Sequence, residues 1–519
     1  MRKILKNTFS VSFAALLSRI LGVFRDILIA AMFGANLYSD IFFLVFRVPD
    51  FLRKIFSEGV LSSSFVPVFS KILVTQGEKK AFEMANSAFF FISLCTTIIT
   101  IAGIIFIPFV VGVISPGVAS GTSELNLMIL LSRIMMPYFV MISLLAVCMG
   151  VLNSVKSFKT SAFAPVVFNM VFIFCALNIC DFFNPPIIGL AIGVTLGGIA
   201  QIALQIPMLI HKKVFPIKKI VIIHPAVLEF ISKICPAIIG ASTFHINLLV
   251  ATFLASFLHT GSITNLYFAD RLVQLPMALI SASVAIVFLP EFSKDAALKD
   301  RQNSSKSLLK ALKFTIFIMI PAMAGLIALR EPIVKLLFFH GAFDLMAVKN
   351  TSTCLLYLTS GLGAYSGTRI IVSYFYAVSD MKTPLIAGVL TIILNFILSM
   401  IFIKWFGFTG LPIAISLSGM INFLILLIRL HAIVSFSVKD IVFSTCRAVF
   451  ISGIMYFIIK ILILQLNAIL GYEISVLLNV AISVFMGILT YFGINLIINS
   501  PEIKMIRAGI FKNRNITGY

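Results

Sequence analysis

Apolar residues run along this chain in long, nearly unbroken blocks separated by short polar interruptions. The blocks lie near 9–33, 40–69, 85–114, 125–152, 161–181, 187–210, 228–258, 268–292, 314–329, 351–377, 384–403, 410–428, 441–465 and 474–499. Their length is that of helices crossing a bilayer. Membrane barrels instead need strands of about ten residues with alternating polarity. A helix also satisfies its own backbone hydrogen bonds in lipid. The pattern therefore predicts an all-α polytopic membrane protein with about 14 transmembrane helices. The first block follows Arg2, Lys3 and Lys6, as a signal peptide would, but it continues past Ser18 to Phe33 and carries Arg19, Arg25 and Asp26. It reads as a retained membrane helix.

Composition excludes the other classes. Of 519 residues, 60% are hydrophobic and 11% charged, with a mean hydropathy of +1.11. Disorder requires the opposite balance, and soluble domains could not hide so much apolar surface. The formal net charge of +21 would suggest nucleic acid in a soluble protein. Here the basic residues lie in short loops, so no nucleic-acid partner is expected, and the excess fits the positive-inside bias and attraction to anionic membrane lipids. If the spans alternate, twenty-five Lys and Arg fall on one side and only Arg330, Lys335, Lys349 and Lys404 on the other. That asymmetry predicts an even number of spans, both termini in the cytoplasm and a multi-pass cytoplasmic-membrane protein. The seven cysteines are scattered, without a CxxC, and suggest neither a metal site nor a disulfide framework.

An internal repeat organises the chain. Phe65-Val-Pro67-Val-Phe69-Ser-Lys71 recurs as Phe288-Leu-Pro290-Glu-Phe292-Ser-Lys294, an offset of 223, and Lys159-Thr160 recurs as Lys382-Thr383 at the same offset. Gly189-Leu-Ala-Ile192 resembles Gly410-Leu-Pro-Ile413 at 221. Two six-helix lobes in parallel repeat plus two C-terminal helices are expected: 1–220, 221–435 and 436–519. Transporters built from such repeats bind substrate between them and rock around it.

Charge inside the spans marks the candidate site. On a helix, Ser18, Arg19, Gly22, Arg25, Asp26 and Ile29 share a wedge of roughly 120°, and Arg47, Asp50, Lys54 and Glu58 one of roughly 80° with Arg53 beside Asp50. Pro49 removes a backbone donor from the second of these helices. A charge at the bilayer centre costs about 2.5–3.5 kcal/mol, so these side chains need a wet cavity or partners. Pairs such as Arg25 with Asp26, or Arg53 with Glu58, would simply fix packing. Against that, Arg19, Arg25, Arg47, Arg53, Lys54 and Arg271 outnumber Asp26, Asp50, Glu58 and Asp270. A cavity left cationic favours an anion, and the arginine fork suits phosphate. In the second lobe, Ser242, His245 and Leu248 stand where the first has Arg19, Gly22 and Arg25. His245 reads as a packing histidine, with a proton-linked role as the alternative, and Glu229 pairs with Lys233 by helical spacing. No GxxxxGK[ST], HExxH or carboxylate cluster suggests an enzyme.

Ser18-Arg19-Ile-Leu-Gly22-Val-Phe-Arg25-Asp26, Phe33-Gly34-Ala35, Asp40, Arg47-Val-Pro49, Leu52-Arg53-Lys54-Ile-Phe56, Glu58-Gly59 and Phe65-Val-Pro67 together resemble the N-terminal signature of the MurJ/MviN family. Asn153, Pro165, Asn169, Ala269-Asp270-Arg271-Leu272, Pro276 and Lys382-Thr383-Pro384 extend the likeness, which covers roughly 1–435. The resemblance implies a flippase of lipid II, the undecaprenyl-diphosphate-linked peptidoglycan precursor, in the multidrug/oligosaccharidyl-lipid/polysaccharide exporter superfamily. It implies head-group arginines at Arg19, Arg25, Arg53 and Arg271, supported by Ser18, Asp26, Asp40, Lys54, Glu58, Asn169 and Asp270. The last two helices would help form a groove for the lipid tail. The chain departs from relatives at Lys54, where some have arginine, and at Asp50, where asparagine is common. Some relatives use a sodium site with an acid on the seventh helix; here that helix offers only Glu229. No cofactor or metal is implied, and membrane potential or a monovalent cation would supply the drive. Lipid II, membrane lipids and the cell-wall synthesis machinery are the partners implied. The alternatives are an exporter of another polyprenyl-diphosphate-linked oligosaccharide, a drug or cation antiporter, a membrane enzyme acting on polyprenyl diphosphates, and a cell-wall scaffold.

Overall fold

The computed structural model describes residues 2–57, 60–114, 122–214, 225–227, 246–298, 300–470 and 475–505. Among them there are helices and no strands. In chain order they are α1 (Arg2–Phe33), α2 (Leu37–Ser57), α3 (Val60–Gln76), α4 (Glu78–Ile114), α5 (Thr122–Met135), α6 (Tyr138–Ser154), α7 (Phe158–Asn178) and α8 (Ile187–His211). Then come α9 (Ile246–Ala255), α10 (Ser262–Pro276), a π-helical turn Met277–Ser281, α11 (Ala282–Ala297), α12 (Arg301–Ala328), α13 (Arg330–Phe338), α14 (Leu345–Ser360) and α15 (Leu362–Ala377). The last four are α16 (Lys382–Phe406), α17 (Gly410–Val434), α18 (Val438–Leu470) and α19 (Ser475–Ile497).

Nine segments among the described residues are long and apolar enough to cross a membrane. They do not include α1 or α2, which carry Arg19, Arg25, Asp26, Arg47, Asp50 and Arg53. Both are helical all the same; α14 and α15, over the expected span 351–377, are likewise outside the nine. Short α13 has no counterpart among the expected spans.

The repeat is structural as well as sequential. α4 starts at Glu78 and α12 at Arg301, α5 at Thr122 and α14 at Leu345, α8 at Ile187 and α17 at Gly410, each pair 223 apart. Phe65 and Phe69 stack with centroids 5.6 Å apart, and their repeat partners Phe288 and Phe292 meet at 6.0 Å. The same apolar spacing thus gives the same local packing twice.

The chain forms two compact units, Met1–Thr264 with His340–Phe343, and Asn265–Phe339 with Asp344–Tyr519. In the first, α7 lies along α8. Gly189, Gly193 and Gly197 recur every fourth residue and so line one face of α8. A Cβ there would stand 2.6 Å from Cys180, 3.0 Å from Cys175 and 2.7 Å from the Phe168 ring, so only hydrogen fits. Small residues allow such close helix approach in lipid, where packing rather than water drives association.

In the second unit α16 lies along α17, and α18 along both α12 and α19. The Tyr491 hydroxyl on α19 donates to Phe317 O on α12 at 2.8 Å. Buried Glu502, beyond α19, accepts from Ser444 at 2.8 Å and pairs with Arg447, both on α18. Asp300 caps α12 through the amides of Gln302 and Asn303, and Asp380 caps α16 through those of Lys382 and Thr383. These carboxylates satisfy donors that a helix start leaves open.

Candidate functional site

The charged wedge of α1 faces α7. Arg25 is 7% exposed. Its Nε and Nη2 donate to Asp26 Oδ1 at 3.0 and 2.7 Å, and Nη1 donates to Asn169 Oδ1 at 3.2 Å. The guanidinium lies 5.4 Å from the centroid of the Phe172 ring. Asn169 Nδ2 donates back to Ser18 O at 3.0 Å. Ser18, Gly22 and Arg25 recur at helical spacing, so one asparagine spans the face, and the nearest group to a Cβ on Gly22 would be Asn169 Nδ2 at 3.8 Å. Of the five N–H donors of Arg25, three are engaged; Nη1 and Nη2 each retain one. That pair suits a phosphate oxygen.

The α2 charges divide among several tasks. Arg53 Nη2 pairs with buried Asp50 at 2.7 Å, one helical turn away, and its side chain is 27% exposed. Buried Arg47 donates from Nε to Thr252 Oγ1 on α9 at 3.1 Å. Asp40 accepts from Gly261 N at 2.6 Å, Thr264 N at 2.8 Å and Thr264 Oγ1 at 2.6 Å. It therefore holds the start of α10. Nearby, Ala342 N donates to Ala31 O at 2.8 Å. Gly34 and Gly341 both have positive φ, and a Cβ on Gly341 would sit 2.3 Å from Ala31 O. These residues all belong to the first unit.

In the second unit Arg271 donates from Nε and Nη2 to the Tyr267 hydroxyl at 3.0 and 2.6 Å and lies 4.8 Å from that ring's centroid. Asp270 accepts from Gln274 at 2.5 Å.

Ser18, Arg25, Asp26 and Asn169 are thus brought together, and Arg53 joins Asp50. Arg19 lies half-buried on α1. Glu58, Glu229, Lys233 and His245, and the side chain of Lys54, lie outside the described residues. The structure adds Phe172, Thr252, Tyr267 and Gln274 as partners. Tyr267 precedes Arg271 by four residues and Gln274 follows Asp270 by four, a helical spacing legible in the sequence. Nothing in the sequence near Arg47 points to Thr252.

A family model described as "Lipid II flippase MurJ" matches residues 29–491. The chain belongs to the lipid II flippase MurJ family. It is 34% identical over 439 residues to a probable lipid II flippase MurJ of Vibrio cholerae, covering 83% of each protein. A solved structure of a lipid II flippase MurJ in an inward closed conformation matches with a TM-score of 0.76 and 30% identity, over 98% of this chain and 99% of that one. An inward-facing multidrug-resistance MATE transporter matches with a TM-score of 0.68 at 14% identity, over 80% of this chain and 95% of that one, a likeness of fold. This MurJ-family chain is therefore a transporter rather than a catalytic enzyme, and a multi-pass protein of the bacterial inner membrane.

Proposed function

We propose that this chain carries lipid II from the cytoplasmic to the outer leaflet by alternating access, supplying peptidoglycan synthesis, with both termini in the cytoplasm. The observation that carries the reading is the Arg25 constellation within a family match that spans most of the chain. Arg25 is oriented by Asp26 and Asn169, and its two remaining N–H groups are available for a diphosphate oxygen. Arg19 and Arg53 contribute positive charge from the same unit, and Arg271 is a further head-group arginine, with Lys54, Glu58, Asp40 and Asp270 in support. By the sequence repeat the rocking lobes would be 1–220 and 221–435, with 436–519 supplying the tail groove.

The head group is anionic and the cell interior negative, so outward movement gains about 2.3 kcal/mol per charge per 100 mV. Membrane potential, or a monovalent cation moved with it, supplies direction without a cofactor. Cell-wall synthesis enzymes on the outer face would take up the product.

Arg25→Ala and Arg25→Lys in a strain depending on this copy test the assignment. Lipid II should accumulate in the inner leaflet with Arg25→Ala. Arg25→Lys should restore export only in part, because a point charge lacks the planar fork. Normal export by Arg25→Ala at normal protein level refutes the role.

A further inference from the structure

Away from the arginine constellation, the second unit contains a polar cavity of about 160 Å³ lined by Arg330, Glu331, Lys335, Lys460, Asn467 and Asn479, among others. It lies where α12 passes into α13, against α18 and α19. Three cations and one acid meet there, and their pairing is uneven. Lys335 is matched by Glu331 at 2.9 Å. Among the described residues, Arg330 and Lys460 have no carboxylate within 4.0 Å. Arg330 donates one bond, to Ile327 O at 3.3 Å, and the Lys460 ammonium lies 5.9 Å from the Tyr456 ring centroid. Asn479 is 3% exposed. Its Nδ2 donates to Asn467 Oδ1 at 2.7 Å, while its Oδ1 is buried without a hydrogen-bond partner. A buried acceptor without a donor is costly, and half-buried Arg330 and Lys460 leave surplus positive charge beside it.

The cavity thus lacks an anion for two cations and a donor for one carbonyl. Its position narrows the choice. The apolar segments of α18 and α19 run Val438–Ala468 and Val476–Ile497. Asn467 and Asn479 stand at the facing ends of those segments, the level at which lipid head groups begin. Lys460 is seven residues deeper than Asn467, about 10 Å along the helix, within reach of a snorkelling side chain. The space exceeds one water's share of the liquid, about 30 Å³, and accommodates a phosphate group.

We propose that this cavity binds the phosphodiester of a membrane-lipid head group that also carries a hydrogen-bond donor, such as the hydroxyls of a glycerol head group or the ammonium of ethanolamine. Arg330 and Lys460 take the phosphate oxygens, and Asn479 Oδ1 accepts from the donor. This site is separate from the residues assigned to lipid II, and its test uses lipid retention rather than transport.

The full chain, purified in detergent, is incubated with phosphatidylglycerol, phosphatidylethanolamine or phosphatidylcholine, and bound lipid is counted by native mass spectrometry. Phosphatidylglycerol and phosphatidylethanolamine should be retained over phosphatidylcholine, which has the phosphate without the donor. Arg330→Gln with Lys460→Gln should reduce that retention about a hundredfold, the lower end of the scale for losing two charge-assisted hydrogen bonds. Asn479→Leu, with the cations intact, should erase the preference over phosphatidylcholine. Displacement of lipid by millimolar inorganic phosphate supports a phosphate site that solution can also fill. A melting temperature measured without added lipid separates lost binding from lost folding; if the double variant does not fold, Lys460→Gln alone is read in its place. Equal phosphatidylglycerol retention by the parent and the folded variant overturns the site. Equal retention of all three lipids by the parent overturns the donor assignment to Asn479.

Discussion

Asp26→Asn isolates the energetics of the α1 constellation. The side chains of Arg25 and Asp26 are 8% and 7% exposed and share two hydrogen bonds to one oxygen. The amide conserves shape and one acceptor but removes the charge, leaving a buried guanidinium held by Asn169 and the Phe172 face. Breaking a buried pair by removing one partner costs about 3–5 kcal/mol, because the remaining charge is uncompensated. The retained acceptor and the aromatic face, worth about 1 kcal/mol, place this substitution at about 3 kcal/mol. Asp50→Asn is the internal control: the Arg53 side chain is 27% exposed, water answers part of its charge, and the loss should be about 1 kcal/mol. Thermal unfolding of the purified protein in one detergent ranks them, with Asp26→Asn melting well below Asp50→Asn. Adding Arg25→Gln to Asp26→Asn should then recover stability, since the double variant buries no charge. If Asp26→Asn melts with the parent, or if the double variant is worse than either single one, the buried-charge account is wrong.

Gly341→Ala introduces a Cβ 2.3 Å from Ala31 O at a φ of +57°; the left-handed backbone alone costs about 1–2 kcal/mol, and the Ala342 N to Ala31 O bond should open, seen as faster hydrogen exchange at Ala342. Asp40→Ala strips three donors at Gly261 and Thr264 of their acceptor and should cost about 1–2 kcal/mol, the loss of a helix cap, read as lowered thermal stability that Asp40→Asn partly restores. At Asp380, desolvation is the largest single influence and pushes the carboxyl up, but hydrogen bonds from Thr383 and Lys382 and the Lys382 charge together outweigh it and hold the group below its ordinary 3.8. The stability it contributes is complete above that ordinary value and is lost as pH falls through the lower folded value. The melting difference between the parent and Asp380→Asn should therefore be constant from neutral pH to about pH 5 and shrink below the ordinary carboxylate range.

Much of the fold was legible because bilayer crossing is a one-dimensional constraint. Length and apolarity locate helices without reference to neighbours, and the offset of 223 carried from Phe65 and Phe288 through to the starts of α8 and α17. The site was legible in part. Helical spacing put Ser18, Arg25 and Asp26 on one face, and put Arg53 beside Asp50. The surplus of cations was legible as a count but not as a pairing: Arg25 and Arg53 each hold a carboxylate, whereas Asp40, grouped with the cavity acids by family likeness, spends its oxygens on Gly261 and Thr264.

Amino-acid order alone thus settled the helical class, the doubled architecture, the location of intramembrane charge and the family. These follow from local quantities: residue type, helical period and distance along the chain. Spatial packing assigned the partners of each charge, from Asn169 bonding Arg25 across 144 positions to the phosphate-sized cavity formed by Arg330, Lys460 and Asn479. The cause is that hydrogen bonds act over about 3 Å, so a polar group's chemistry depends on which distant segment folds against it.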